Sequence, residues 1–331
     1  MLYVILSVDT EGDNLWANQC GRSFSNIRAL GDFQAFCEDL RLRPTYLVAH
    51  EVVADEAARE TIIQLQASDR CEIGSHLHAW LTPPAYAHLD DIGKYPFLHE
   101  YPQEVRAAKL ERLTEDLAGV LGQRPTSYRG GRWSIEAFTM GQLERLGYAA
   151  DTTVTPFVSW VRTLGAVQGG PNCTTAPRTP YYPHSADPVR PGAMRILEVP
   201  TAHRPPSPAA DGLHRWAGSL FGASRLGWSV VGRALGVVAG KVISPNPAVT
   251  PVEGLLRVTR RVLQERPAVL NLCIHSSELV AGGAPWVRQT SDAEAVRHRF
   301  RDVVGFLSSQ GEWCSVTLSE YARQQSASGD G

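Results

Sequence analysis

The chain of 331 residues lacks cysteine pairs in CxxC spacing, long apolar runs and a large net charge. Its six cysteines are scattered, and a chain of this size needs no disulfides to hold a core, so we interpret them as reduced, mostly buried thiols. No stretch approaches about 18 uninterrupted apolar residues, so no membrane-spanning helix is predicted. Lys and Arg total 32 against 34 Asp and Glu, which argues against a partner that is nucleic acid.

The start of the chain also lacks the features of a secretory signal. No basic region precedes the first apolar run, and that run meets Asp9 after only a few residues. It is too short for the apolar region of a signal peptide. We therefore expect a cytoplasmic protein.

What the sequence contains is an alternation of short apolar runs with segments of helical period. The runs of strand length are 2–8, 44–48, 71–73, 127–129, 195–199, 269–274 and 313–316. The helical segments include 105–121, 135–146 and 294–307. Strand alternating with helix predicts an α/β fold with a parallel sheet. Seven strand candidates in one series favour a closed or nearly closed barrel, with 1–331 as a single domain.

Residues 204–250 interrupt this alternation and are interpreted as an insertion within the barrel. In this insertion Trp228, Leu235 and Val238 share one helical stripe, and basic residues fall on the other side. A basic amphipathic helix over 225–243 predicts peripheral contact with an anionic membrane. An ordinary helix packed on its own domain is the alternative, and five glycines weaken the helix prediction.

Charged and polar side chains follow several of the predicted strands, where barrel enzymes place their chemistry. Asp9, Glu11 and Asp13 follow the first strand. Three carboxylates so close together are costly unless they bind a cation or divide acid and base roles, although a solvated acidic turn is the simpler explanation.

His76 and His78 follow the third strand, with the i, i+2 spacing that turns both imidazoles to one face of an extended segment. Two imidazoles and one carboxylate would leave an open metal position for water, as in catalytic sites. Arg129 and Trp133 follow the fourth strand, and His275 ends a later one. Each of these three also has a purely structural explanation, as an ion pair, a packing residue or a buried histidine.

Taken in order, these segments resemble the polysaccharide deacetylase family, the NodB-homology metal-dependent deacetylases. The matching segments, in family order, are 6–12, 72–76, 128–135, 151–156, 272–275 and 316–321. They span nearly the whole chain, which makes the series more specific than any one motif. The resemblance implies a distorted (β/α)7–8 barrel and a divalent metal, with Zn²⁺ expected.

The resemblance also implies roles for five residues. Asp9 would be the general base and Glu11 the metal-binding acid. His76 would be the first metal histidine, Arg129 the residue that tunes the base, and His275 the general acid.

The sequence departs from the family pattern at the second metal histidine. The usual position holds Trp80, and we infer that His78 takes the role, with His88 or His99 as alternatives. Whether Asp13 rather than Glu11 binds the metal is also open. A further departure is that the third motif has Gly130 and Gly131 where a proline is usual.

These residues predict a metal-dependent hydrolase that removes an acetyl group from an N-acetylated sugar, such as a nucleotide- or lipid-linked saccharide. Aromatic and basic side chains are predicted to bind the carbohydrate: Trp80, Arg132, Trp133 and Tyr182. Two alternatives stay open. One is a metal hydrolase of a non-sugar amide or C–N bond, and the other is a glycan-binding relative that has lost catalysis.

Overall fold

The alternation expected from the sequence is present in the computed structural model, which describes residues 1–13, 15, 23–86, 95–163 and 169–329. The strands are β1 (Leu2–Thr10), β2 (Pro44–Ala49), β3 (Glu72–Leu77), β4 (Ser127–Gly130), β5 (Ala150–Asp151), β6 (Pro183–His184), β7 (Asp187–Pro191), β8 (Leu197–Glu198), β9 (Ala268–His275) and β10 (Trp313–Ser315). The helices are α1 (Ser25–Arg28), α2 (Leu30–Asp39), α3 (His50–Ala54), α4 (Glu56–Ala67), α5 (Gln103–Leu121), α6 (Ala137–Leu146), α7 (Pro208–Phe221), α8 (Arg225–Val238), α9 (Val252–Val262), α10 (Thr290–Gln310) and α11 (Leu318–Gly329).

Eight of the strands form one parallel sheet. Seven follow the order β9-β1-β2-β3-β4-β5-β8. β10 pairs with the first residues of β1, along the same edge of β1 that pairs with β2 further on. The sheet curls so far that its ends meet: Ala202 N donates to Asn271 O (3.0 Å), and Asn271 Nδ2 donates to Val199 O (3.0 Å). The predicted α/β, distorted barrel fold is therefore confirmed.

The apolar residues of each strand divide between the two faces of the sheet. On β1, Val4 and Leu6 face the outer helices, while Ile5 packs inside the barrel with Leu47 of β2. Tyr321 of α11 belongs to the same inner cluster, so this helix fills one end of the barrel interior. The carboxyl ends of the strands lie at the other end, and there the interior carries charged side chains.

Both α5 and α6 end at a glycine. Gly122 follows α5 with φ +69° and Gly147 follows α6 with φ +89°, the left-handed conformation that favours glycine after a helix. β5 and the β6–β7 ribbon were not predicted, because two-residue strands carry no period-2 signal.

The insertion 204–250 forms two helices, α7 and α8, so the expectation that its glycines weaken the helix was wrong for this segment. Leu235 of the predicted stripe is buried, whereas Val238 is 78% exposed. No helix of the described ranges is both long and apolar enough to cross a membrane. The five described cysteines, Cys37, Cys71, Cys173, Cys273 and Cys314, are free thiols.

Candidate active site

Strand register brings the predicted site residues together at the carboxyl ends of the barrel strands. Asp9 on β1 is the direct neighbour of His275 on β9, and His76 on β3 is the direct neighbour of Arg129 on β4. Each pair shares one level of a parallel sheet. Side chains that lie far apart in the sequence therefore meet above the inner cluster.

Glu11, His76 and His78 form a buried group whose ligand atoms all lie within 4.8 Å of one another. Glu11 Oε2 is 3.1 Å from His78 Nε2 and 3.5 Å from His76 Nε2, and the two Nε2 atoms are 3.1 Å apart. A tetrahedral metal with bonds of about 2.0–2.1 Å requires ligand atoms about 3.3 Å apart. The three residues thus fit a divalent metal that keeps an open position.

The Nδ1 atoms of the two imidazoles face different groups. His76 Nδ1 donates to the carbonyl oxygen of Arg129 (3.1 Å), which leaves Nε2 as the atom facing Glu11. His78 stacks on the Trp80 ring with centroids 4.7 Å apart, and its Nδ1 lies 3.6 Å from Glu51 Oε1. Neither oxygen of Glu51 has a hydrogen-bond partner among the described residues. A carboxylate behind a histidine ligand orients the ring and raises its basicity.

Without a metal, the charges of this group are balanced by protons. Burial would lower the pKa of His78, but its contact with Glu11 and the nearby carboxylate of Glu51 raise it to about 9. Burial would raise the pKa of Glu11, but its hydrogen bonds with His76 and His78 hold it well below the usual value. Glu11 is therefore a carboxylate, the form that binds a cation.

Asp9 is fixed by Arg129, as expected. Arg129 Nη1 donates to Asp9 Oδ1 (2.6 Å), Nη2 to Ser7 Oγ (2.6 Å) and Nε to Thr152 O (3.0 Å). Burial would raise the pKa of Asp9, but the Arg129 guanidinium lowers it below the usual value. Asp9 is thus an ionised, oriented carboxylate whose other oxygen, Oδ2, lies 3.6 Å from His275 Nε2.

His275 is oriented by Glu278, a residue for which no role was predicted. Its Nδ1 (3.2 Å) and its backbone N (2.8 Å) both donate to Glu278 Oε2. Asn246 Nδ2 and Trp286 Nε1 also donate to this fully buried carboxylate. Burial would lower the pKa of His275, but the charge of Glu278 raises it to about 9. At neutral pH the imidazole therefore holds a proton at Nε2.

A cavity of about 200 Å³ opens above these groups. Trp80, Trp133 and Trp160 line it together with Arg132, a placement that the predicted role of Trp80, Trp133 and Arg132 in substrate binding requires. Trp133 stacks on Trp160 at 6.0 Å and lies over the Arg129 guanidinium at 5.0 Å. Arg132 and Trp133 both have positive φ, 56° and 60°, a strained backbone of the kind that concentrates at functional sites.

Gly130, the last residue of β4, and Gly131, which follows it, lie where no side chain would fit. A Cβ at Gly131 would lie 2.4 Å from His78 Cδ2, and one at Gly130 would lie 2.2 Å from Ser134 O. These glycines let the third motif pack directly against the histidine group. A proline, usual in this motif, would not leave that space.

Two predicted or alternative site residues, Tyr182 and His99, lie elsewhere. Tyr182 is not among the residues lining the cavity; like Tyr3 and Cys314, it packs against the inner cluster, so the structure does not bring it to the site where it was predicted to bind substrate. Nε2 of His99 is hydrogen-bonded to Gly169 O, and His99 is not in the Glu-His-His group. His88 lies outside the described residues.

Asp13, the alternative to Glu11 as ligand, has a different task. Its Oδ2 accepts from Ser25 N (2.9 Å) and Ser25 Oγ (2.6 Å), and its Oδ1 accepts from Asn26 N (3.2 Å). These are the free donors at the start of α1. Asp13 therefore caps α1. For this residue, the simpler explanation of the acidic run, a turn that does not bind metal, agrees with the structure.

Sequence reasoning missed Glu51 and Glu278. For Glu278 a signal existed, because an acid three residues after a histidine at a strand end can reach back to it. Glu51 gave none, since it lies on α3 between two other motifs. Its position behind His78 depends on how α3 packs on the sheet.

No family model matches the chain, and no curated protein matches it by sequence. Solved structures match its fold. A candidate polysaccharide deacetylase from Mycobacterium smegmatis has a TM-score of 0.52 at 15% identity, covering 98% of this chain and 91% of that one. A candidate glycoside hydrolase/deacetylase from Parabacteroides distasonis has 0.59 at 12% identity, covering 97% and 70%.

A 4-alpha-glucanotransferase from Thermococcus litoralis also matches, with a TM-score of 0.52 at 13% identity, over 97% of this chain but 40% of that one. Identities this low show the fold alone. The neighbours carry more than one kind of activity, so a function for this chain has to be argued from its site.

Proposed function

We propose that the chain is a metal-dependent hydrolase that removes the acetyl group from an N-acetylated sugar. The observation that carries this proposal is the convergence of Asp9, Glu11, His76, His78 and His275 on one cavity. A metal group, an ionised carboxylate and a protonated imidazole can supply carbonyl polarisation, a general base and a general acid for the hydrolysis of an amide. The fold shared with candidate deacetylases agrees with this assignment.

Glu11, His76 and His78 would hold the metal, and Zn²⁺ suits two imidazoles and a carboxylate with an open position. When bound, such a metal polarises an acyl carbonyl and makes a water molecule more acidic. The same donors suit other transition metals, so Zn²⁺ stays an expectation.

Asp9 is the general base of the proposal. Its Oδ1 is occupied by Arg129, so Oδ2 is the atom that accepts a proton from the attacking water. Arg129 keeps this carboxylate ionised and fixed in orientation, because three further hydrogen bonds, to Ser7 and Thr152, hold the guanidinium itself.

His275 is the general acid. It lies beside Asp9 but carries its proton at Nε2, from which it protonates the nitrogen of the leaving amine. Without that proton the amine would leave as an anion, and the C–N bond would not break. Base and acid are thus neighbours on β1 and β9 with opposite charges.

The cavity favours a sugar as the group attached to the acetamide. It is smaller than the roughly 300–1,000 Å³ of sites that enclose a drug-sized ligand, so it accommodates one acylated ring and leaves the remainder outside. Trp80, Trp133 and Trp160 offer aromatic faces to that ring. With the expected cytoplasmic location, the substrate would be a nucleotide- or lipid-linked saccharide.

The test is release of free amine from N-acetylated sugars by the zinc-loaded protein. We expect Asp9→Asn and His275→Gln each to lower the rate about 10²–10⁴-fold, because each removes one proton transfer. Asp32→Asn, an exposed carboxylate on α2, is the matched control and should retain the wild-type rate.

Equal rates for wild type and Asp9→Asn would overturn the proposal. An active protein that hydrolyses only non-sugar amides would favour the first alternative. Substoichiometric zinc and no chelator-sensitive activity would instead indicate a glycan-binding relative.

A further inference from the structure

The helix α8 is apolar but almost unburied. Of its 14 residues, Leu235 alone is buried. Leu226, Val230 and Val237 recur at spacings of four and seven residues and are 79%, 58% and 87% exposed. Isolated exposed apolar residues are normal, but a row of them on one helix marks a surface that binds something apolar.

The neighbouring helix α7 extends this surface. Trp216 and Leu220 lie one turn apart on α7, and both are more than half exposed. Residues 222–224 connect α7 to α8, and the two helices pack against each other. We refer to Trp216, Leu220, Leu226, Val230 and Val237 as the α7–α8 face.

The formal charges along the stretch of chain that carries most of the α7–α8 face are all positive. Residues 212–252 contain Arg215, Arg225, Arg233 and Lys241 and no Asp or Glu. Asp211, just before them, is buried and paired with Arg178 and Arg261. The face therefore combines exposed apolar side chains with a stretch of chain whose formal charges are all positive.

We propose that the α7–α8 face docks on an anionic lipid bilayer. Its apolar side chains enter the boundary between headgroups and acyl chains, and the basic residues contact the lipid phosphates. A second copy of the chain is a poorer occupant, because a two-fold contact would bring the same positive charges of both copies together without an acid between them.

A groove beneath α8 connects this surface with the candidate active site. The groove measures about 730 Å³ and is lined by Phe157, Val158, Trp228 and Val242. Trp160 and Thr163, from the same segment as Phe157, line the catalytic cavity. Segment 157–163 is thus a wall shared by the groove and the cavity, so docking would place the site beside the bilayer.

The experiment is sedimentation of the full chain with vesicles of phosphatidylcholine plus phosphatidylglycerol, and with vesicles of phosphatidylcholine alone. We expect binding to the first only, and weaker binding as salt rises. The apolar variant is Leu226→Glu with Val237→Glu. The charge variant is Arg225→Gln with Arg233→Gln and Lys241→Gln, and we expect it to weaken binding about 10–100-fold.

Matched controls use similar residues elsewhere. Ile63→Glu, on α4, controls for the apolar variant, and Arg145→Gln with Arg190→Gln and Arg195→Gln controls for the charge variant. Both should sediment like wild type. Circular dichroism and light scattering of every variant establish fold and oligomeric state.

Wild-type binding that is equal with and without phosphatidylglycerol, or absent from both, would overturn the proposal. So would controls that lose binding as fully as the α7–α8 variants. A dimer that the α7–α8 variants convert to a monomer would show that a second copy covers the face. Because vesicle binding does not involve Asp9 or His275, these outcomes are independent of the proposed hydrolysis.

Discussion

At the scale of single residues, the proton on His275 depends on Glu278. All four groups that contact this carboxylate are donors: the backbone N and Nδ1 of His275, Asn246 Nδ2 and Trp286 Nε1. The carboxylate that accepts these bonds lies beside the imidazole and raises the pKa of His275. Asp9 and Glu11 face the same ring and add to this effect.

We expect Glu278→Gln to shift the alkaline limit of activity to lower pH. His275 acts as an acid only while protonated, so activity is present below its pKa of about 9 and is lost as the pH rises through that value. Removal of the Glu278 charge lowers this pKa, so the loss begins at lower pH. The measurement is the pH dependence of kcat/KM, with Asp302→Asn on α10 as the control.

A merely structural role for Glu278 would have a different result. In that case the variant would lose activity equally at every pH, with an unchanged alkaline limit. Metal content of the purified variant, expected to match wild type, separates this outcome from damage to the Glu11, His76 and His78 group.

A residue of the candidate site could be predicted from the sequence where its motif lies at the end of a single strand. Asp9, Glu11, His76, Arg129 and His275 all follow this pattern, and the structure brings all of them to one cavity. The position of Tyr182 could not be predicted, because this residue directly precedes the ribbon β6–β7. The first strand of that ribbon has only two residues, and so short a strand does not indicate which end of the barrel Tyr182 lies at. Glu51 could not be predicted, because only the packing of α3 against the sheet sets its distance from His78.

At the scale of elements, Asp13 connects the metal-binding loop with α1. The residue before α1, Phe24, has no side chain that can cap it, so the carboxylate of Asp13 supplies the acceptors instead. Asn26 of α1 in turn donates to the carbonyl oxygen of Glu11 (2.6 Å). The helix therefore also supports the backbone of the candidate ligand.

We expect Asp13→Ala to lower the free energy of unfolding by about 0.5–2 kcal/mol, the usual cost of losing a helix cap. Zinc affinity should change little, whereas Glu11→Gln should abolish zinc binding. Denaturant unfolding and a zinc titration measure the two effects. Loss of zinc binding in Asp13→Ala to the same degree as in Glu11→Gln would show that Asp13 is a ligand after all.

The elements most accurately predicted were long and periodic. β1, α5 and α10 follow from an apolar run or a three- and four-residue repeat, and the glycines after α5 and α6 mark their ends. The end of α8 was harder to predict, because the last buried residue of an apolar stripe usually marks the end of a helix. Here the helix lies mostly in solvent, and Val238 ends it while exposed.

At the scale of the whole molecule, a bound metal should stabilise the barrel. Glu11, His76 and His78 come from two strand ends, β1 and β3, with β2 between them. A ligand that binds only the folded state adds about 2.7 kcal/mol at 100 times its Kd. We expect zinc at that level to raise Tm by about 5 °C, and chelator to reverse the change.

Glu11→Gln should have a Tm that responds to neither zinc nor chelator. Thermal melting followed by circular dichroism measures both proteins. A zinc response that persists in Glu11→Gln would place the metal elsewhere in the molecule.

The contacts between β8 and β9, where the barrel closes, determine where it should unfold first. β1 has partners along both edges, whereas β8 is two residues long and reaches β9 through the bond from Ala202 and the side chain of Asn271. Deuterium uptake should therefore be slowest in β1 and fastest beside this seam. Local unfolding there would first break the hydrogen bond between Asn271 and Thr152. Because Thr152 also accepts a hydrogen bond from Arg129, the position of Arg129 would then be less well fixed. The arrangement of the catalytic residues would therefore be lost before the fold.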